Sequence, residues 1–309
     1  MTLLKTPVLF LIFNRPDTTQ QVFNEIRKAQ PAQLFVAADG PRKDRPADKE
    51  LCKKTRDIIQ QVNWDCEVFT RFQDENLGCK RAVSSAIDWF FSNVEEGIIL
   101  EDDCIPDQSF FPFCQELLEK YRDDERIMMV SGDNFQFGQK RTEYSYYFSR
   151  YFHIWGWATW RRAWKLYDRE MMAWPEIREN GYLNNILSEK RLVRYWEAIF
   201  NSVYNVSTNT WDYQWVFSCW IQRGLSIIPN INMVSNIGFD QRSTHTKGKD
   251  IRANMQTESM AFPILHPKYI IRNANADRFT EKIEYSRFGF ITSKIYEIIL
   301  RIQVRLYEI

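Results

Sequence analysis

The sequence predicts an α/β fold: a doubly wound, mostly parallel sheet with an aromatic-rich lobe beside it. Three observations predict it. Through the first 132 residues, short apolar runs alternate with amphipathic stretches, as in consecutive βαβ units. Several of those runs end in polar or acidic residues, where an open parallel sheet exposes its carboxyl ends. Nine of the eleven tryptophans then lie between Trp155 and Trp220, in a region where the alternation is lost.

Taken in order, strands are expected at 8–13, 33–38, 67–70, 98–101 and 127–131. Each is a run of strand length bounded by turn residues or charge. Val22, Phe23 and Ile26 form one helical face between the first two strands. Val83, Ile87, Phe90 and Phe91 form another before the fourth. The clearest helix follows, with Phe110, Phe113, Cys114, Leu117, Leu118 and Tyr121 at helical spacing. Ser109 is its expected N-cap, and Pro112 falls in the first turn, where the missing N–H costs nothing. Beyond Asp133, residues 144–174 read as aromatic and irregular, 176–206 as helical and polar, and 211–222 as apolar. Residues 235–250 have the composition of a mobile loop. In the tail, Ile291, Ile295, Ile298, Ile299, Ile302 and Leu306 form a helical stripe, with Lys294, Arg301 and Arg305 elsewhere on its surface. The stripe reads first as a helix docking on its own domain, and second as a basic amphipathic helix lying on a bilayer.

Composition excludes several classes. The 41 Lys and Arg nearly cancel the 40 Asp and Glu, which removes the electrostatic case for nucleic-acid binding. Six cysteines show neither CxxC nor disulfide-domain spacing and read as buried, reduced thiols of a cytosolic protein. The opening apolar run, Pro7-Val8-Leu9-Phe10-Leu11-Ile12-Phe13, is too short for a membrane span and lacks a cleavage site. The expected location is the cytoplasm, extending to the inner face of the membrane if the tail binds lipid. Most of the clustered tryptophans are expected in a core. A few can form a sugar platform, since the apolar face of a pyranose stacks on an indole.

The chemistry is concentrated at the strand ends. Ile98-Ile99-Leu100 runs into Glu101-Asp102-Asp103, three carboxylates that need a cation or a solvated mouth to ionise together. With 40 acids in 309 residues, chance supplies on the order of one such triplet. Asp123-Asp124-Glu125 is that one, and reads as a solvated turn. Position separates the two. Arg15, in Asn14-Arg15-Pro16-Asp17, stands at a strand end facing a helix N-terminus and suits a phosphate. Asp39, in Asp39-Gly40-Pro41, suits a uracil N–H or a ribose hydroxyl, or else simply makes a turn. Lys80 and Arg81, in Asn76-Leu77-Gly78-Cys79-Lys80-Arg81, offer two more cations, or else a solvated helix start.

Taken together, these residues resemble nucleotide-sugar transferases of the GT-A fold. Within that fold they are similar to the inverting Golgi N-acetylglucosaminyltransferase that acts on mannose. The resemblance starts at Pro7-Val8-Leu9 with Arg15, continues at Asp39, and becomes specific at Ile99-Leu100-Glu101-Asp102-Asp103 with Pro106-Asp107 and Phe110-Phe111. It extends through Ser131-Gly132-Asp133-Asn134, Trp155-Gly156-Trp157 and Trp211-Asp212, covering most of residues 7–246. Bacterial proteins designated sugar transferases look closer still, sharing Trp157-Ala158-Thr159-Trp160 and Trp211-Asp212-Tyr213-Gln214-Trp215.

The resemblance implies a donor-binding half at 1–132, an acceptor-binding and catalytic half of the same domain at 133–270, and a helical tail at 271–309. It implies that Asp103 holds a metal bridging the diphosphate, that Glu101 faces the donor sugar and that Asp102 faces the ribose. Oxygen-only ligation with phosphate co-ligands fits Mn²⁺ or Mg²⁺ rather than zinc. Asp212 maps onto the catalytic base, and Trp211 onto the donor side. The alternative for Asp212 is a cap on the helix that follows. His245 departs from the aligned pattern, but its loop corresponds to a flap over the donor, so His245 and Arg242 are expected to meet the metal or the diphosphate, the alternative for His245 being a solvated loop histidine. The implied partners are a UDP-sugar donor and a glycan or lipid-linked saccharide acceptor. Two alternatives stand beside the transferase. One is a nucleotidyltransferase, which normally has a Gly-rich basic loop where this chain has Asn14-Arg15-Pro16-Asp17-Thr18-Thr19. The other is a carbohydrate-binding protein without turnover.

Overall fold

The computed structural model describes residues 4–239 and 250–285. Its ten strands are β1 (Val8–Ile12), β2 (Gln33–Ala38), β3 (Glu67–Phe72), β4 (Glu96–Glu101), β5 (Cys104–Pro106), β6 (Ile127–Ser131), β7 (Tyr146–Ser149), β8 (Trp157–Trp160), β9 (Leu225–Pro229) and β10 (Val234–Asn236). Its helices are α1 (Pro16–Ala29), α2 (Ala47–Asp57), α3 (Cys79–Asn93), α4 (Phe110–Lys120), α5 (Arg161–Trp164), α6 (Trp174–Glu179), α7 (Leu183–Ile186), α8 (Lys190–Tyr204), α9 (Asp212–Ile221) and α10 (Ala274–Glu284).

Eight strands form one sheet in the order β3-β2-β1-β4-β8-β6-β9-β7. The ladders β3·β2, β2·β1, β1·β4 and β6·β9 are parallel, whereas β8 and β7 run against their neighbours. The expected α/β, mostly parallel sheet is present. From β1 the chain crosses to β2 on one side and later reaches β4 on the other. The crevice outside the carboxyl ends of β1 and β4 is therefore a topological switch point, where open sheets of this kind bind ligands.

The period-two alternation of β1 assigns its side chains to two cores. Val8, Phe10 and Ile12 pack with Val22, Phe23 and Ile26 of α1 and Phe110, Phe113 and Leu117 of α4. Leu9 and Leu11 face the other layer, with Ile87 and Phe90 of α3 and the tryptophan-rich helices. Helix α1 begins with Pro16 at its first turn, where its fixed φ is already helical.

The aromatic stretch expected to be irregular is instead partly sheet. Tyr146–Ser149 and Trp157–Trp160 are strands, and the latter lies in the sheet interior between β4 and β6. Both are buried at every residue, so neither shows the polar-apolar alternation by which a half-buried strand is recognised. Ser109 does not cap α4 with its side chain. Instead Asp107 Oδ1 accepts from both the Ser109 N–H and hydroxyl. The triplet at 123–125 lies in a turn, with Asp124 paired to Arg126. Of the expected tail, α10 packs on β7, with Ser149 Oγ donating to Asp277 Oδ1 at 2.6 Å and Arg150 paired to Glu281. The apolar stripe at 291–306, with Lys294, Arg301 and Arg305, lies outside the described residues. No helix among the described residues is long and apolar enough to cross a membrane.

Candidate active site at the switch point

A cavity of about 810 Å³ opens where β1, β2 and β4 end. Its lining includes Arg15, Asp39, Glu101, Asp102, Asp103 and Asp212, drawn from segments nearly 200 residues apart. The sheet brings the first five to neighbouring strand ends, and α9 delivers the sixth from the other side. Lys80 and Arg81 are not in the lining. Arg81 is exposed, and Lys80 Nζ turns away to Glu170 at 2.8 Å. The mouth draws its other cations from Arg42 and Arg71, which sequence patterning did not single out. Arg42 is held by Asp48 at 2.5 Å, with its guanidinium 5.2 Å from the centroid of Phe13. Arg242 and His245 lie outside the described residues.

Arg15 is the internal counter-ion of the acid triplet. Its Nη2 donates to Asp102 Oδ1 at 3.0 Å and to Asp103 Oδ2 at 2.8 Å. Burial works against its charge, but the two carboxylates more than reverse this and raise its pKa. The backbone of Phe13 adds an N–H to Asp102 Oδ2 at 3.1 Å. The acids remain crowded even so. Burial, then the charges of Asp103, Asp102 and Asp212, push Glu101 up to about 8. Burial also pushes Asp102 up to about 6, against the pull of Arg15. The chain after β10 lies directly on this cluster. A Cβ at Gly238 would fall 2.0 Å from Asp103 Oδ2 and 3.0 Å from Arg15 Nη1, so any other residue there would have to displace the Asp103 carboxylate.

Asp39 reaches the cavity with its acceptors already used. Oδ1 takes the N–H groups of Gly40 and Leu77, both at 2.8 Å. Oδ2 takes the Asn76 amide at 2.8 Å and the Gly78 N–H at 3.2 Å. Four donors match the four lone-pair positions of a carboxylate. Asp39 thus ties the β2 end to the loop before α3, and shapes the wall more than it offers a free acceptor. Burial still raises its pKa.

Asp212 is the first residue of α9, after Trp211 at the N-cap, whose side chain makes no capping bond. The Asp212 carboxylate accepts from the Thr210 hydroxyl. The half-buried acid stays close enough to Glu101 to add to the upward push on that residue. Trp211 lines the cavity but is 2% exposed, with its indole stacked on Trp157 at 5.6 Å and 18°. Of the nine clustered tryptophans, eight are buried; Trp155 alone is half-buried, at the cavity.

The acids suit a hard cation only in part. Among the described residues no group of three or more His, Cys, Asp or Glu side chains is arranged to hold a metal. Asp103 keeps Oδ1 against nothing stronger than the Cys104 thiol at 3.4 Å. One carboxylate completed by diphosphate and water fits Mg²⁺ or Mn²⁺, which seldom need an all-protein cage.

Four further residues of the lining had no role assigned from sequence: Asp133 and Tyr213, which stand within motifs of the resemblance, and Arg252 and Glu284. Asp133 carried a usable signal, being an acid two residues past the end of β6. Arg252 and Glu284 carried none, since only the fold brings them to the cavity.

No protein-family model matches the chain, and no curated protein matches it. Solved structures similar to it include mouse xyloside xylosyltransferase 1, at 10% identity over 69% of this chain and 80% of that one, TM-score 0.35. HddC from Yersinia pseudotuberculosis is similar at 8% identity over 51% and 77%, TM-score 0.31. So is 4-diphosphocytidyl-2C-methyl-D-erythritol synthase from Anaerococcus prevotii, at 8% identity over 53% and 75%, TM-score 0.31.

Proposed function

We propose that this chain is an inverting, metal-dependent glycosyltransferase that moves a sugar from a UDP-sugar to a glycan or lipid-linked saccharide acceptor. The reading is supported by the meeting of Arg15, the acid triplet and Asp212 in one cavity at the switch point. In it, Arg15 and Arg42 bind the diphosphate end of the donor, Glu101 faces the transferred sugar and Asp102 the ribose. Asp103 would hold Mn²⁺ or Mg²⁺, whose chemistry there is to neutralise the leaving diphosphate. Asp212 takes the proton of the acceptor hydroxyl as its oxygen bonds to the anomeric carbon. The bond from that carbon to the diphosphate oxygen breaks, and UDP carries away the electron pair. The Thr210 hydroxyl positions Asp212 for this. Attack opposite the leaving group inverts the anomeric centre.

Release of UDP from a panel of UDP-sugars tests the reading, with Mn²⁺ and with chelator. Asp212→Asn is nearly isosteric but cannot take the proton. It is expected to lower turnover by ~10²–10⁴ while UDP affinity holds. Asp103→Ala is expected to abolish the metal-dependent part of UDP binding by calorimetry while the protein stays folded. An α-linked donor should yield a β-linked product by NMR coupling constants. Metal-independent UDP binding, or full turnover in Asp212→Asn, would remove the corresponding residue from the mechanism. Pyrophosphate release from a sugar phosphate and a nucleoside triphosphate would favour the nucleotidyltransferase instead.

A further inference from the structure

The cavity has a second polar end that the transfer chemistry does not use. Asp133 is fully buried; its Oδ2 accepts from the Trp155 N–H at 2.8 Å, but Oδ1 has no hydrogen-bond partner among the described residues. Glu284 is in the same condition. Its side chain is 8% exposed, Oε2 accepts from Arg252 at 3.2 Å, the Tyr285 hydroxyl lies beside the carboxylate and eases its charge, and Oε1 itself makes no hydrogen bond among the described residues. Both residues line the cavity. Buried acceptors are almost always paired, so two unpaired ones in residues that line one cavity mark a place where a ligand hydroxyl can satisfy them.

The walls narrow the choice of ligand. Trp155, Tyr195, Tyr213 and Tyr285 line the cavity and are half-buried, with Tyr195 and Tyr285 in ring contact at 5.3 Å. Arg252 closes the floor, its guanidinium 5.6 Å from both the Phe135 and Trp155 rings, and Asp250 and Glu284 already neutralise it. Among the described residues of this end, Arg252 is already paired and Asp133 adds a further carboxyl group, which favours an uncharged ligand over an anionic one. A planar aromatic would cover the rings but leave the carboxyl oxygens unmet. A pyranose meets both demands. Its axial C–H faces stack on rings, and its hydroxyls donate or accept, so they suit a carboxyl group in either protonation state. Burial raises the pKa of both Asp133 and Glu284, which makes that tolerance useful.

We propose that the space between Asp133, Glu284 and the Trp155 wall is a subsite for an uncharged pyranose. Resting on the glycosyltransferase reading, this is the terminal sugar of the acceptor, held with a hydroxyl toward Asp212. Tyr213 follows Asp212 directly and packs on Trp196, which joins the subsite to the candidate base.

Saturation-transfer NMR on the full chain tests this. The probes are methyl glucopyranoside, galactopyranoside and mannopyranoside, with glucuronate as the anionic control, each with and without UDP. At least one neutral glycoside should bind through its ring protons, with UDP present or absent, and glucuronate should not. Glu284→Leu, which leaves Arg252 paired to Asp250, and Trp155→Leu should each weaken that binding about tenfold or more, while UDP affinity measured on the same samples is kept. Three results would overturn the proposal: no glycoside binding by wild-type protein that binds UDP, glycoside binding indifferent to both variants, or glycoside binding displaced by UDP. Glycoside binding with the expected variant losses but no UDP binding would keep the subsite and defeat the transferase reading.

Discussion

At the acid end of the cavity, Asp102 and Asp103 share Arg15, and Asp39 is saturated by four donors. At the aromatic end, Asp133 and Glu284 each keep an oxygen that no described residue meets. The first region is compensated in part from within the chain, with Arg15 set against Asp102 and Asp103 while Glu101 stays crowded by its neighbours. The second is built with a deficit. Such a difference is expected where one end can exchange an internal counter-ion for a charged ligand, while the other completes its hydrogen bonds only when a ligand arrives.

Tryptophan marks the same boundary, and the largest effect in stability is expected there. Trp157 is fully buried, stacked on Trp211 and within 6.3 Å of the Trp164 and Trp215 centroids. It also belongs to a strand inside the sheet. Trp157→Ala should cost about 3–5 kcal/mol, the range for removing a packed aromatic, read as a fall in chemical-denaturation midpoint. Trp155, two residues away but half-buried, should cost clearly less on the same change. Equal losses would erase the division between tryptophans that build the lobe and the one at the cavity.

How legible this was follows from the same physics. The strands β1, β2, β4 and β6 were visible because each is a buried apolar run bounded by turn residues, and the strand ends then pointed to Arg15, Asp39 and Glu101-Asp102-Asp103. Strands β7 and β8 were hidden because burial on both faces removes their period, and their aromatics resemble a loop rich in binding residues. Lys80 lies outside the cavity lining for a local reason. A cation at a helix start is available to any acid nearby, and Glu170, ninety residues on, takes it. Asp39 shows the limit of motif reading in another way: a strand-end acid can look like a ligand contact while its carboxylate is spent on its own loop. Arg252 and Glu284 meet through tertiary structure alone, and no spacing announces them.

Asp39 offers the second test. If its carboxylate chiefly ties the loop at 76–78, Asp39→Ala should destabilise the fold by about 1 kcal/mol, because it removes bonds to N–H groups that are only part-buried or exposed. The loss should appear whether or not UDP is present, and the weakening of UDP binding should shrink in Asp39→Asn, which keeps some of the bonds. A variant that folds with wild-type stability but fails to bind UDP would instead make Asp39 a direct nucleotide contact, and the acid end would then carry an unmet acceptor of its own.

The last test concerns His153, which sits beside the aromatic end with its ring 4.5 Å from that of Phe135. Burial, helped by the charge of Arg252, pushes its pKa down to about 3. The native imidazole is therefore neutral across the ordinary range, while the unfolded chain protonates it near 6.5. Below that pH the unfolded state binds the extra proton, so stability attributable to His153 is present above about 6.5 and is lost as pH falls toward 3. By pH 5.5 the loss should be about 1 kcal/mol. His153→Phe keeps a ring against Phe135 and removes the titration. It should flatten the acid limb of the stability curve relative to wild type between pH 6.5 and 5, with little change at pH 8. Parallel curves for the two proteins would mean that His153 charges freely in the native state. The aromatic end would then be wetter than its burial indicates, and water rather than a sugar would be the natural partner of Asp133 and Glu284.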